Sequence, residues 1–459
     1  MTSYHVRFWD TKKISDTARG RYRVRWAVDG REHCKSFATK ALADAFLVTL
    51  KDAARDGKPF DPATGLPAQP KPADRPDVTW YEHARAYAQM KWPDLAAKSR
   101  RSTAESLTTI TLALTERHGK APDRDVLRRA LFGYAFNSAS ASQAVPAEIS
   151  RALDWIAKAS LPVAALEEPD TVRAVLGACA RRLDGKPAAA TTTRRKRAVF
   201  ANALGYAVER RLLPTNPLGQ IQWKASEVAE TVDRRSVANP AQARRLLKAV
   251  RGQGPRGEHM EAFFGCLYYA ALRPAEAVAL READCVLPAR GWGRIDLAAS
   301  QPCAGTGWTD DGASREERGL KHRAPGETRS IPIPPVLVKM LRAHIARYGT
   351  SPDGHLFRTA RGGPLNDTGW GEVWQRARPK ALTPAQQASP LARRPYDLRH
   401  AAVSLWLNAG VPATEVARRA GHGVAVLLKV YANCIDGQAG AANQRINDAL
   451  DEQDEHDSE

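Results

Sequence analysis

The sequence predicts a multidomain chain: a small N-terminal β-sheet with one helix, an α-helical middle unit, and a mainly α C-terminal unit holding a small antiparallel β-meander. Three observations carry this. At roughly 150 residues per domain, 459 residues make about three units. The stretch 57–78 carries prolines at 59, 62, 67, 70, 72 and 76, which an interior helix or strand would not tolerate. A second break runs from Pro214-Thr215-Asn216-Pro217 to about Arg235. The expected units are therefore 1–56, 79–215 and 236–446, joined by linkers 57–78 and 216–235 and followed by an acidic tail, 447–459. No internal repeat occurs at solenoid or propeller periods.

In the first unit, Arg21-Tyr22-Arg23-Val24-Arg25-Trp26-Ala27-Val28 alternates strictly. Period-2 geometry sends Tyr22, Val24, Trp26 and Val28 to one face and Arg21, Arg23 and Arg25 to the other. Asp29-Gly30 is a type I′ hairpin turn into 31–39, and Thr39 caps a helix over 41–55. The arginine face either meets phosphates or is simply solvated. In the middle unit, Trp80 to Met90 opens a helix and Lys98-Ser99-Arg100-Arg101-Ser102 opens another. Thr193 is the expected N-cap of a helix over 194–213 that begins Arg194-Arg195-Lys196-Arg197. Cations in a first helical turn oppose the macrodipole, a cost that a phosphate partner offsets and a solvated end tolerates. In the third unit, 293–299 and 328–333 read as strands among helices.

Composition narrows the class. Hydrophobic residues make up 43% and charged residues 26%, as expected of a soluble globular chain. No run of some 18 apolar residues predicts a membrane span, and Met1 to Arg7 carries no apolar core of a signal peptide. Six cysteines without a C-x-x-C pair argue against a zinc site or a disulfide framework and fit a reducing cytoplasm. Lys and Arg number 69 against 50 Asp and Glu, a net charge of +19. With a pI near 9.8, the expected partner is a polyanion, above all nucleic acid.

Several motifs fail. Gly252-Gln253-Gly254-Pro255-Arg256-Gly257 fits G-x-G-x-x-G but follows a helical stretch, Pro240 to Arg251, and its proline removes a backbone donor. It reads as a turn. Gly-Lys at 57–58, 119–120 and 185–186 is never followed by Ser or Thr, so there is no phosphate loop. No H-E-x-x-H occurs, and neither a metal site nor a cofactor is expected.

Four short pieces of the third unit carry chemistry together. They are Ala271-Leu272-Arg273-Pro274-Ala275-Glu276, Gly319-Leu320-Lys321-His322-Arg323, Tyr396-Asp397-Leu398-Arg399-His400, and Ala420-Gly421-His422-Gly423 running on to Lys429-Val430-Tyr431. In this order they resemble the active site of the tyrosine recombinases, the phage-integrase family. That family has an Arg in a short turn with an acid three residues on, a hairpin Lys, an H-x-x-R box, a G-H box and a nucleophilic Tyr. His422 lies 23 residues after Arg399, and Tyr431 lies 9 after His422, in agreement with the family's usual spacing. The resemblance covers about 236–446; the middle unit resembles the family's core-binding domain in position and character, and the first unit its arm-binding β-domain.

The resemblance implies a site-specific recombinase that cleaves and rejoins double-stranded DNA through a 3′-phosphotyrosyl bond at Tyr431, without metal or ATP. Arg273 and Arg399 would fork onto phosphate oxygens, and both stay charged at any working pH. His422 would donate a hydrogen bond or move a proton, Lys321 would protonate the 5′ leaving oxygen, and Glu276 and His400 would orient their neighbours. A phenol with a pKa near 10 is ionised in only about one part in a thousand at pH 7, so nearby guanidinium groups matter. Expected DNA contacts are Arg21, Arg23, Arg25, Lys98, Arg100, Arg101, Arg194, Arg195, Lys196 and Arg197. Expected partners are a homotetramer on paired DNA sites and accessory DNA-bending or excision proteins; the expected location is cytoplasmic, on a prokaryotic nucleoid when bound.

One departure stands out. The first His of the H-x-x-R box is Tyr396 here, and a phenol donates a hydrogen bond but carries protons poorly near neutrality. Two other readings stay open: a DNA-binding protein of this fold without turnover, and an enzyme that relaxes supercoils by the same chemistry. The stretch from Gly410 to Tyr431 also resembles a helix-turn-helix.

Overall fold

The structure, a computed structural model, describes residues 2–14, 21–68, 76–116, 118–140, 144–223, 231–321, 324, 326–359, 361–434, 443–444 and 447. It is mostly helical, with small antiparallel sheets.

The N-terminal unit holds β1 (Val6–Phe8), β2 (Lys12–Ile14), β3 (Arg21–Val28), β4 (Arg31–Phe37) and α1 (Lys40–Arg55). β3 is central, pairing antiparallel with β4 on one edge and with β1 and β2 on the other. Asp29 and Gly30 both have positive φ, 50° and 79°, the type I′ geometry that matches strand twist. Val24, Trp26 and Val28 face α1 and are buried, whereas Arg21, Arg23 and Arg25 are exposed. Residues 57–68, assigned to the linker by their prolines, instead fold onto this sheet. Phe60 is fully buried in its core and exchanges backbone hydrogen bonds with Ser3 at 2.8 and 2.7 Å. The Trp26 indole donates to the Gly65 carbonyl. A bulky aromatic completing a small core outweighs the flanking prolines. Residues 69–75 lie outside the described residues.

The helical unit comprises α2 (Trp80–Lys91), α3 (Ala97–Ala113), α4 (Arg124–Ala130), α5 (Ala147–Ala159), α6 (Pro169–Cys179) and α7 (Ala190–Glu209) around one apolar core. Thr79 and Glu82 form a capping box at the start of α2. α7 begins at Ala190, not after Thr193. Thr193 is buried inside the helix, where its hydroxyl donates to the Ala189 carbonyl four residues back. Of the second linker, Leu218 joins this core and Val232 joins the C-terminal one; residues 224–230 lie outside the described residues.

The C-terminal unit begins with α8 (Pro240–Arg251), capped by Asn239 and Gln242, and α9 (Pro255–Tyr269). The glycine run between them is a turn, with Gly254 at φ 74°. α9 is buried on nearly every side, which explains why it shows no amphipathic stripe. α10 (Pro274–Ala279) leads to β5 (Cys285–Val286), β6 (Gly293–Leu297), β7 (Ala299–Ser300), β8 (Arg318–Gly319) and β9 (Arg329–Ile333). β6 pairs antiparallel with β5 and β9, and β7 with β8. Then come α11 (Pro335–Tyr348), α12 (Asp367–Ala381), α13 (Pro384–Ala388), α14 (Asp397–Asn408), α15 (Ala413–Ala420) and α16 (Val424–Tyr431).

The 301–317 arm between β7 and β8 joins the two larger units. Its root is held by Arg315, which donates to the carbonyls of Leu365 (3.0 Å) and Gln301 (2.5 Å) and to the Asp367 carboxylate (2.6 Å). Its tip belongs to the other unit: Ala304 and Trp308 are buried in the helical core, with Trp308 against Phe132 and Trp92. Arg100 grips Asp310 at 2.7 and 3.1 Å and the Trp308 carbonyl at 3.2 Å, and Asn137 donates to the Gly307 carbonyl at 2.9 Å.

Candidate active site

The site is built on the turn between α9 and α10, the first residue of β9, the start of α14, the Gly421 turn and the end of α16. Pro274 at the first helical position and the Glu276 carboxylate, which accepts from the Arg273 backbone N–H at 2.8 Å, start α10 and place Arg273 at its N-cap. The Arg273 side chain is 21% exposed and donates to Glu276 at 2.6 Å and to the Gly421 carbonyl at 3.0 Å. Ala271 turns the chain with φ 51°, rare for a residue with a Cβ. Its carbonyl accepts from Arg399, whose fork also reaches the Ala420 carbonyl. Gly421 has φ 64° and ends α15, freeing both carbonyls to face the guanidiniums.

Arg399 is fully buried, and its second terminal nitrogen lies 3.0 Å from Nε2 of His422. Guanidinium has no acceptor, so Nε2 accepts and the His422 hydrogen sits on Nδ1. That Nδ1 is buried without a partner among the described residues. Burial, then the charges of Arg399, Arg273 and Arg329, push the His422 pKa down to about 3, so the ring is neutral. Tyr431, the last residue of α16, is fully buried; its hydroxyl meets Nδ1 of His400 at 2.9 Å. Burial raises its pKa well above that of free tyrosine, against the opposing pull of Arg399 and Arg273. His400 is itself pushed to about 4 by burial and by Arg399 and Arg394. Tyr396 rests edge-on to His400 and lies close enough to Arg273 to perturb its ionisation.

Glu276 organises the cations. It is 2% exposed, accepts both terminal nitrogens of Arg329 at 3.0 and 2.7 Å, and lies 3.9 Å from Arg399. Burial alone would raise its pKa, but Arg329, Arg399 and Arg273 outweigh it and hold the carboxyl at about 2. Arg329 was missed in the sequence, although a signal was present. It shares the inward face of β9 with Ile331 and Ile333, and a cation on the buried face of a strand needs a partner.

Arg273, Glu276, Tyr396, Arg399, His400, His422 and Tyr431 thus converge from three of the four separated segments. Lys321 is exposed just beyond β8 and is not among the hydrogen-bond partners of this cluster; His322 and Arg323 lie outside the described residues. The expected DNA-binding residues divide. Arg21, Arg23, Arg25, Lys98, Arg101, Arg194 and Arg195 are exposed, though Arg25 pairs with Glu32 and Arg195 with Glu105, both at 2.8 Å. Arg100 is buried in the grip on the arm, and Lys196 is buried with its ammonium 3.0 Å from the Thr109 hydroxyl. Arg197 is half-buried over the Trp223 ring. Beside Lys196 opens a concavity of about 790 Å³ lined by Arg124, Arg128, Arg181 and Arg182, none of them singled out in the sequence. Another, of about 980 Å³ between the first half of α9 and the segment holding Arg358, Arg361, Leu365 and Asn366, is lined by none of the cluster residues.

No protein-family model and no curated protein matches the chain. Among solved structures, the chain is similar to the Tn1549 transposon integrase in complex with circular-intermediate DNA (18% identity, 65% of this chain and 90% of that one, TM-score 0.45). It is also similar to a lambda integrase tetramer bound to a Holliday junction (13% identity, 91% and 95%, TM-score 0.44). A third is the XerH site-specific recombinase bound to its difH substrate (11% identity, 77% and 95%, TM-score 0.41). Among the described residues, no helix is long and apolar enough to cross a membrane.

Proposed function

We propose that this protein is a site-specific DNA recombinase of the tyrosine recombinase type, cutting and rejoining strands through Tyr431. The observation that carries the reading is the meeting of two guanidinium forks, a neutral histidine and a tyrosine hydroxyl in one pocket, drawn from segments that span 273 to 431. A basic chain with a net charge of +19 supplies the general attraction for DNA.

The forks donate to carbonyls of the Ala271 and Ala420–Gly421 turns. Anionic phosphate oxygens are stronger acceptors than carbonyls and replace them at Arg273 and Arg399. The unpartnered Nδ1–H of His422 donates to the same phosphate. These preorganised donors stabilise the charge that builds as the Tyr431 oxygen attacks phosphorus. The 5′ oxygen leaves with a proton from Lys321, and the phosphotyrosyl bond keeps the energy of the ester, so a second 5′ hydroxyl reverses the step without ATP. Since Tyr431 is fully buried, α16 shifts when the phosphate enters. The exposed arginines of β3, the N-terminal turns of α3 and α7, and the Arg124–Arg182 concavity hold the duplex. A tetramer on two sites completes the exchange.

The test is a DNA site nicked near the scissile phosphate. The protein forms a denaturation-resistant adduct with it and Tyr431→Phe forms none; equal behaviour of the two overturns the proposal. A second reading, a DNA-binding protein of this fold without turnover, draws on the closed pocket, in which the Tyr431 hydroxyl has no exposure. It predicts DNA binding and no adduct from either protein.

A further inference from the structure

We propose that His400 is the catalytic group that takes the Tyr431 proton during cleavage and returns it during rejoining. This rests on Tyr431 being the nucleophile. The buried phenol hydrogen needs an acceptor, and His400 Nδ1, 2.9 Å away, is the partner of the hydroxyl among the described residues. The phenol therefore donates, and the ring hydrogen of His400 sits on Nε2.

The other groups around the phenol do not serve. Arg399 and Arg273 have no lone pair to offer. The Nε2 lone pair of His422 is engaged by Arg399, and its ring centroid is 6.2 Å from that of Tyr431. Tyr396 is another phenol, so passing a proton to it gains nothing. Cys434 is buried and its pKa is raised, which keeps it a thiol. The replacement of the first box histidine by Tyr396 therefore leaves the proton to the histidine four residues on, in the first turn of α14, on the side that faces α16.

The step balances. A phenolic oxygen lone pair forms the bond to phosphorus while the O–H electrons stay on oxygen and the proton passes to Nδ1. The bond from phosphorus to the 5′ oxygen breaks, that oxygen keeps the pair, and Lys321 protonates it. Rejoining returns both protons. The charges of Arg399 and Arg394 add to burial in disfavouring imidazolium. A phosphodiester on the forks brings a negative charge into the pocket and offsets them.

The test measures adduct formation by the full-length protein on the nicked site, with Tyr431 native or replaced by fluorinated tyrosines of progressively lower phenol pKa. We expect His400→Gln, which keeps a hydrogen bond but cannot carry a proton, to slow adduct formation by roughly 10²–10⁴-fold. The deficit should shrink steadily as the phenol becomes more acidic, while the His400 protein changes little. A substrate with sulfur as the 5′ bridging atom, a leaving group that needs no proton, should restore Lys321→Ala but not His400→Gln. A wild-type rate for His400→Gln, a deficit that ignores phenol acidity, or rescue by sulfur each overturns the proposal. An adduct formed by Tyr431→Phe instead overturns the nucleophile assignment beneath it. If His400→Gln does not fold, His400→Asn and the flat response of the His400 protein to fluorination provide the same readout.

Discussion

Replacing Glu276 by Gln removes one negative charge from a site that Arg273, Arg329 and Arg399 all face, while keeping the shape. A carboxyl that titrates near 4.5 when free and at about 2 in this pocket is stabilised as an anion by roughly 3 kcal/mol. The side chain is only 2% exposed, so solvent does little to screen it. Breaking a buried ion pair from one side costs a similar amount, about 3–5 kcal/mol, because the remaining charges stay buried without compensation. The sign follows from the lowered pKa. The contribution is complete above the unfolded value near 4.5 and is lost as pH falls through about 2. Hydrogen exchange of peptides covering 268–280 and 327–333 isolates this region from the other two units. At pH 7.5, Glu276→Gln should lower their opening free energy by roughly 3 kcal/mol, about a 150-fold loss of protection. Between pH 4.5 and 2 the wild-type protein should lose the same quantity and the variant should not. A change below about 1 kcal/mol, or parallel pH dependence, would refute the idea that one carboxylate holds the three cations.

Arg399→Lys keeps the charge but loses the planar fork, so adduct formation should fall by roughly 10²–10³-fold with DNA affinity nearly unchanged in a binding titration. In Gly421→Ala, an L-residue in the left-handed region costs about 1–2 kcal/mol, and the new methyl carbon would stand 2.4 Å from the Arg329 guanidinium. Denaturation and adduct formation should both suffer, and an unaffected adduct yield would show that Arg329 moves aside freely. Trp308→Ala should cost about 3–5 kcal/mol and open the 301–317 arm to proteolysis while leaving the β9 peptides protected. His259, His400 and His422 titrate at about 4, 4 and 3 in the folded chain. Their contribution is complete above the ordinary histidine value near 6.5 and disappears as pH falls through 4 to 3. Melting temperature should accordingly begin to drop below pH 6.5, with Glu276 adding its own loss only below about 4.5.

Much of this was legible in the chain itself. The hairpin followed from strict alternation and an Asp-Gly pair, because period-2 geometry and positive φ are local properties. The cluster from Arg273 to Tyr431 was legible as ordered short pieces with fixed intervals. What escaped notice depended on distant partners. The prolines around Phe60 signalled a linker because nothing local says that its ring completes the core behind β3. Arg100 and Lys196 showed their sign but not their fate: Asp310, more than two hundred residues away, takes up the first, and Thr109 the second. Arg329 was readable from its inward position on β9, yet its purpose appeared only once Glu276 was seen opposite.

The arm's docking has a practical consequence for redesign. Exchanging the helical unit for another looks like a cut within residues 216–235, but Ala304 and Trp308 lie on the far side of that cut in sequence and inside the exchanged unit in space. A chimera spliced there alone would strand an indole in water and leave a hole in the incoming core. Residues 301–317 and their socket around Trp92, Arg100 and Phe132 must travel as a matched graft.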